Sequence, residues 1–377
     1  MSAVSRPALT YVVNSLNPGG TERLVVEMSC AFSQEYALDV LCLDTPGAWA
    51  DSLRRRGVSV RALWRQPGFD ASMPGKLARH FREQGTRIVH AHQCTAWFYA
   101  ALSRLLNPTP RLLLEEHGRF YPEITNRARI CVNKALIKRL THRFVAVSRD
   151  VRERLQRYEG LDSRQIEVIY NGVAPITQLS RTERASLREQ LGFTPTDFVV
   201  GTVGRFDPIK NLPMLIDALA AASEQNGAVR GLLIGAGPVF DAVQRRLSER
   251  GLANKVVLTG HRDDARRLVQ CFDLFVLSSF SEGTSMALLE AMAAGVPAAV
   301  TEVGGNPEIV LREQTGWTVP SGSVPALARV LLEAARNPGL RERLAQHGQK
   351  RFEEQFSLAR MLDAYRGSYT ELLAMRA

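Results

Sequence analysis

Residues 279–310 read SFSEGTSMALLEAMAAGVPAAVTEVGGNPEIV. The apolar run DLFVLS (273–278) ends just before this stretch, PAAVTE lies within it, and the residues between follow a helical period. Strand, helix and strand in that order are the repeating unit of a parallel α/β sheet. Thr284 or Ser285 can cap the helix, which runs to about Ala294, and the free N–H groups of its first turn form an anion site without any charged side chain. Glu290 sits among Ala287, Leu288, Leu289, Ala291 and Met292, where a carboxylate is costly to bury without hydrogen-bond donors. Ribose hydroxyls are suitable donors. Glu282 precedes the helix, giving an E-x7-E spacing that can aim both carboxylates at one pocket. Spacing alone also allows a solvated loop glutamate and a helix glutamate turned outward.

The same alternation extends in both directions. LTYVVN, LDVLCL, VSVRAL, RIVHAH, RLLLEE, RFVAVS and QIEVIY predict one doubly wound sheet, with helix-like segments at 22–34, 73–84 and 96–106. YNGVAPITQLS (170–180) breaks both periodicities and reads as a hinge. FVVGTV, RGLLIG, KVVLTG, DLFVLS, PAAVTE and GWTVPS then predict a second sheet. The expected division is therefore 1–170, 171–355 and a terminal helical segment, 356–377. Ligands of such open sheets bind beyond the carboxyl ends of the strands, so functional residues are expected just after strands.

Composition narrows the classes. With 45% hydrophobic and 23% charged residues in 377, the chain can bury two sizeable cores, and disordered or collagenous readings are excluded. Its apolar runs are too short for a membrane span. No cleavable leader is evident near Arg6, and the five cysteines show no CxxC spacing, which together predict a reducing cytoplasm. Met1–Tyr170 holds 25 Lys/Arg against 16 Asp/Glu, or +9 of the total +10, so an anionic partner is expected for that half.

Three further segments carry chemistry. In GTVGRFDPIKN (201–211), Arg205 and Lys210 straddle a turn after a strand, where guanidinium and ammonium can grip a diphosphate. NPGGTERLVVEM (17–28) places Gly19 and Gly20 before a helix, and EEHGRF (115–120) ends a strand on His117. Two solvated cations, an ordinary tight turn and a hydrogen-bonded strand-end histidine are the corresponding structural readings.

Together with E-x7-E, these motifs resemble the retaining GT-B glycosyltransferases grouped as family 4, over most of the chain. VHAH, FVAVS and YNGV are weaker matches. The resemblance implies two Rossmann-like domains facing across a central cleft, an N-terminal acceptor domain and a C-terminal nucleotide-sugar domain, with a C-terminal helix crossing back to the first. It implies that Glu290 holds the donor ribose, that Arg205, Lys210 and the helix start at Thr284, Ser285 and Met286 hold the diphosphate, and that Gly19 and Gly20 let the backbone approach the donor. His117 and Glu282 are then the catalytic candidates, placed to orient and stabilise rather than to form a covalent intermediate. The implied activity is hexosyl transfer from a nucleotide-diphosphate sugar to a lipid-linked or polysaccharide acceptor, in exopolysaccharide or cell-envelope glycan synthesis. A non-catalytic sugar-nucleotide binder and a sugar-nucleotide epimerase are the alternatives, although an epimerase is not expected to carry this E-x7-E arrangement.

No metal or other cofactor is expected: there is no DxD, and the His90-x-His92 pair has no third ligand of matching context in the sequence. Arg127, Lys134 and Lys138 share one side of a predicted helix around 127–140, with Val132, Leu136 and Leu140 opposite. That stripe is expected either to touch the anionic inner face of a cell membrane or to be a solvated helix face. Sparse aromatics and the lack of a reading motif argue against nucleic acid.

Overall fold

The computed structural model describes residues 6–118 and 125–375, so Arg119 and Phe120 of EEHGRF lie outside the described residues. Two compact units divide the chain: one runs to Tyr170 and resumes at Met361, and the other is Asn171–Arg360.

In the first unit, strands β1 (Ala8–Val13), β2 (Ala37–Cys42), β3 (Ser59–Ala62), β4 (Ile88–His92), β5 (Arg111–Glu116), β6 (Arg143–Ala146) and β7 (Ile166–Val168) form a parallel sheet. Its order is β3-β2-β1-β4-β5-β6-β7. The strands are short β-branched and leucine-rich runs because helices cover both faces, as a parallel sheet requires. Leu112, Leu114, Val89 and Ala91 meet Trp97 and Phe81 in one core. Register sets His92 opposite Glu115, an alignment with consequences for the site.

The second unit repeats the plan with β8 (Phe198–Val203), β9 (Val229–Ile234), β10 (Val256–Leu258), β11 (Leu274–Leu277), β12 (Ala298–Thr301) and β13 (Gly316–Val319), ordered β10-β9-β8-β11-β12-β13. In each sheet the order reverses beside the first strand, between β1 and β4 and between β8 and β11. Such a switch point opens a crevice at the strand ends.

The segment after Tyr170 is held within the second unit. Val173 N donates to Phe356 O and Leu358 N donates to Val173 O, at 3.1 and 2.9 Å. A Cβ at Gly172 would lie 2.4 Å from Ser357 O, so only glycine permits this approach. Helix Leu358–Ala374 starts here, and from Met361 it belongs to the first unit, where Tyr365 and Tyr369 are fully buried.

Candidate functional site

At the switch point of the second sheet, β8 gives way to Gly204 and Arg205. A Cβ on Gly235, at φ 149°, would lie 1.8 Å from Gly204 O, so the end of β9 can approach only as glycine. Asp207 caps the next turn by accepting from Ile209 N, and Asn211 takes a left-handed φ of 47°. Lys210 is thereby directed onto Glu282: Nζ lies 2.6 Å from Oε1, and Ser279 Oγ donates to the same oxygen, also at 2.6 Å. Ser278 Oγ, just after β11, bonds the carbonyls of Lys210 and Asn211 and locks the two strand-end loops together. Arg205 remains 64% exposed, 3.9 Å from Asp207.

Ser285 caps helix Met286–Ala293 by accepting from Leu288 N, while Asn171 Nδ2 donates to Thr284 O at 3.1 Å. Gly304, at φ 54°, would carry a Cβ only 1.9 Å from Glu282 O, so a glycine backs the loop that presents Glu282. Glu290 is 98% buried, as its apolar neighbours require. Its Oε1 lies 3.2 Å from Nε of Arg266, whose Nη2 donates to Ala174 O at 2.7 Å. The sequence reading missed Arg266, which stands in an ordinary charged stretch, RDDARR, 24 residues before its partner.

In the first unit, Gly19 is the extended N-cap of helix Gly20–Phe32. Its loop is pinned from behind by Gly47, at φ 77°, where a Cβ would fall 2.3 Å from the Leu16 carbonyl carbon. Asn14 after β1 and Gln93 after β4 meet across this switch point, Nδ2 donating to Oε1 at 2.9 Å. Gln93 adopts φ 74°, a left-handed conformation that costs an ordinary side chain about 1 kcal/mol or more. Neither residue was singled out from the sequence, although both occupy the strand-end position where function concentrates.

His117 is buried against a cluster that the sequence did not reveal. Its Nε2 lies 3.0 Å from His92 Nδ1, and its Nδ1 lies 3.7 Å from Glu115 Oε1. Glu115 Oε2 lies 2.9 Å from His90 Nε2 and 3.2 Å from His92 Nδ1, both off the line of an ideal hydrogen bond. Burial alone would raise the Glu115 carboxyl, but the charge of His117 and the N–H groups of His90 and His92 hold it well below the usual range. Burial dominates at the rings, lowering His90 and His117 and bringing His92 to about 4. Ring stacking orders the set: His90 and His92 lie 4.1 Å apart at 22°, and His92 and His117 5.3 Å apart at 23°.

Comparison with known proteins shows the family. Residues 18–175 match the family described as Glycosyltransferase Family 4, and residues 183–351 match Glycosyl transferases group 1. The chain belongs to the group 1, family 4 glycosyltransferases. It is 21% identical over 325 residues to N-acetyl-alpha-D-glucosaminyl L-malate synthase of Bacillus anthracis, covering 84% of this chain and 83% of that protein. It is 23% identical over 353 residues to the UDP-Gal:alpha-D-GlcNAc-diphosphoundecaprenol alpha-1,3-galactosyltransferase of Escherichia coli, covering 90% of each. HepE of Anabaena, solved with UDP, superposes with a TM-score of 0.86 at 22% identity, over 97% of this chain and 100% of that one. That likeness is one of fold: the α/β architecture of this glycosyltransferase is GT-B.

Two details of the sequence reading differ in the structure. The first set a metal aside because His90 and His92 had no third ligand, yet the fold brings Glu115 to them, with ligating atoms all within 4.8 Å. Imidazole binds a metal through a lone pair in the ring plane, and planes stacked at 22° do not converge within bonding distance. The arrangement suits a hydrogen-bonded stack.

The second correction concerns the basic stripe. Helix Arg127–Ala135 ends before Lys138, which lies on the 3-10 turn Ile137–Leu140 and is half-buried, so a single helical wheel does not cover the three cations. Val132, expected opposite the stripe, is 45% exposed; Asn133 is the buried residue, donating to Glu159 Oε2 at 2.6 Å. Arg129 joins the same buried carboxylate with its Nε at 2.7 Å, so a polar anchor sets the helix phase in place of an apolar seam. Arg127 and Lys134 are exposed.

Proposed function

We propose that this protein is a retaining hexosyltransferase that moves a sugar from a nucleotide-diphosphate donor to a lipid-linked or polysaccharide acceptor. The observation that carries the reading is the Lys210 ammonium held by Glu282 at the β8/β11 switch point, beside the capped start of helix Met286–Ala293. A diphosphate entering there meets Lys210, the exposed Arg205 and the first-turn N–H groups, with Ser285 and Met286 at the helix start. Glu290 takes the ribose hydroxyls, with Arg266 alongside.

In the reaction, the bond from the anomeric carbon to the diphosphate breaks while a bond to the acceptor oxygen forms on the same face. The hydroxyl proton passes to the departing diphosphate, whose charge is stabilised by Arg205, Lys210 and the helix N-terminus. Glu282 and His117 orient the sugar and the acceptor, and Gly19 and Gly20 admit the donor close to the backbone. The reading assigns the charge stabilisation to these protein groups and calls for no metal. The role of one named relative, transfer to a diphosphoundecaprenol lipid, supports a place in envelope or exopolysaccharide synthesis. The same proposal puts the work at the cytoplasmic face of a membrane, which the exposed Arg127 and Lys134 would approach.

A panel of UDP-, GDP- and ADP-hexoses tests the reading. One nucleotide class should raise the melting temperature by mass action and support labelled transfer, with the product keeping the donor's anomeric configuration. Stabilisation by none of the three, or an inverted product, would overturn it.

A further inference from the structure

The buried cluster extends past the strand ends to the returning C-terminal helix. Tyr369 Oη lies 2.7 Å from His90 Nδ1 and 3.1 Å from Tyr11 Oη, and the fully buried Tyr365 ring lies 5.3 Å from that of His90. All of these residues belong to the first unit.

The direction of the hydrogen bonds follows from chemistry. With Glu115 ionised the carboxylate has no proton to give, and at 2.9 Å, although off the hydrogen-bond line, it favours the His90 tautomer with the proton on Nε2 and Nδ1 bare. Tyr369 therefore donates to Nδ1 and accepts from Tyr11. His92 Nδ1 is hydrogen-bonded to His117 Nε2, and Glu115 Oε2, 3.2 Å from the same Nδ1 but off its line, favours the shared proton on His92. Only one proton fits between the two rings, so His117 Nε2 is bare and its own proton sits on Nδ1, on the side of Glu115 Oε1.

We propose that Glu115, His90 and Tyr369 are positioning residues that fix the tautomer and orientation of His117, making the C-terminal helix a working part of the site. His117 touches neither Tyr369 nor His90 in a hydrogen bond, so they act through Glu115 and His92. Other groups facing the cluster are Glu116, whose carboxylate accepts from Cys94 N and Gly118 N, Glu167, which acts on Tyr365, and Glu35 and Tyr36, which act on Tyr11. The sequence hid this connection because Tyr369 lies 279 residues from His90.

The test reads His117 directly. Long-range 1H–15N spectra of the free full-length protein should show His117 as a single Nδ1–H tautomer. Tyr369→Phe, which removes one oxygen, should give mixed tautomers at His90 and His117. Glu115→Gln should lower the titration midpoint of His117, since the anion favouring its protonation is gone. Should Glu115→Gln not fold, Tyr369→Phe still decides the matter. An Nε2–H tautomer of His117 in the wild type, or unchanged His117 spectra in Tyr369→Phe with only a lower melting temperature, would overturn the inference.

The catalytic consequence rests on the proposed function and is read separately. Turnover in Tyr369→Phe should fall several-fold with donor Kd unchanged. Altered His117 tautomers with normal turnover would uphold the coupling and remove His117 from the reacting centre.

Discussion

The two units share a sheet plan and a switch point but equip the strand ends differently. In the second unit, Lys210 and Arg266 face Glu282 and Glu290, so fixed cations meet carboxylates around loops closed by Gly204, Gly235 and Gly304. In the first, one carboxylate, Glu115, is shared among three imidazoles and backed by tyrosines. Permanent cations suit a diphosphate that must be bound whenever it is present. Imidazoles and phenols suit a centre where proton position decides the outcome. Under the proposed function, the shared topology locates both sites and their side chains divide the work.

The first test takes the binding half of this division. Lys210→Ala and Glu290→Ala should each weaken the cognate nucleotide diphosphate by about 1.5–3 kcal/mol, the worth of a hydrogen bond to a charged group. Lys210→Ala also strips Glu282 of its cation. Calorimetric titration measures both, and wild-type affinity in both variants would dissolve the comparison.

Next comes the reacting half. His117→Ala should leave diphosphate affinity near wild type and lower transfer on the order of 10²-fold or more. A loss of donor affinity comparable to that in Lys210→Ala would mean that His117 contributes to donor binding as well.

Acid should separate the units as well. His90, His92 and His117 titrate lower in the folded chain, so the unfolded chain takes up protons first as pH falls, and folding loses stability. For His92 the window runs from the ordinary 6.5 down to about 4, with a slope of about 1.4 kcal/mol per pH unit. His142, lowered to about 4 chiefly by burial, adds to the same side. Denaturant melts at pH 7 and pH 5, followed by hydrogen exchange, should show protection lost first in β4 and β5 and later in β8 and β11. Equal losses in both sheets would contradict the difference in buried titratable groups.

What the sequence disclosed, and what it hid, follows the range of the interactions. Every strand among the described residues was legible, the central ones as apolar runs because helices cover both faces, the edge strands β3 and β7 by shorter β-branched runs. The Glu282–Glu290 loop and helix were legible because capping, turn and burial signals all lie within a few residues. Arg266 was not, because its pairing with Glu290 depends on how one helix end packs near another. Glu115 was not, since it reads as one more charge in RLLLEE until register sets it opposite His92. Lys138 was misplaced for a local reason: Leu136 leaves helical geometry at φ −124°, and the wheel drawn through it loses phase.

The smallest effect concerns charge at long range, where the units also differ. Adding the near-neutral C-terminal segment leaves the first unit at about +9 and the second at about +1, from 25 − 16 with Arg366 and Arg376 offset by Asp363 and Glu371. If the first unit meets anionic lipid, each exposed cation near the surface should contribute about 1 kcal/mol, weakening as salt shortens the Debye length. The three residues are not equivalent. Arg127 and Lys134 are exposed, whereas Lys138 is half-buried and acts on Asp162. Changing Arg127 and Lys134 to Gln should therefore release the protein from phosphatidylserine vesicles nearly as fully as changing all three, while donor affinity in the second unit stays at wild type. Sedimentation at low and high salt measures this. Equal, weak binding by wild type and both variants at low salt would make Arg127 and Lys134 a solvated face on a helix anchored through Asn133, Arg129 and Glu159.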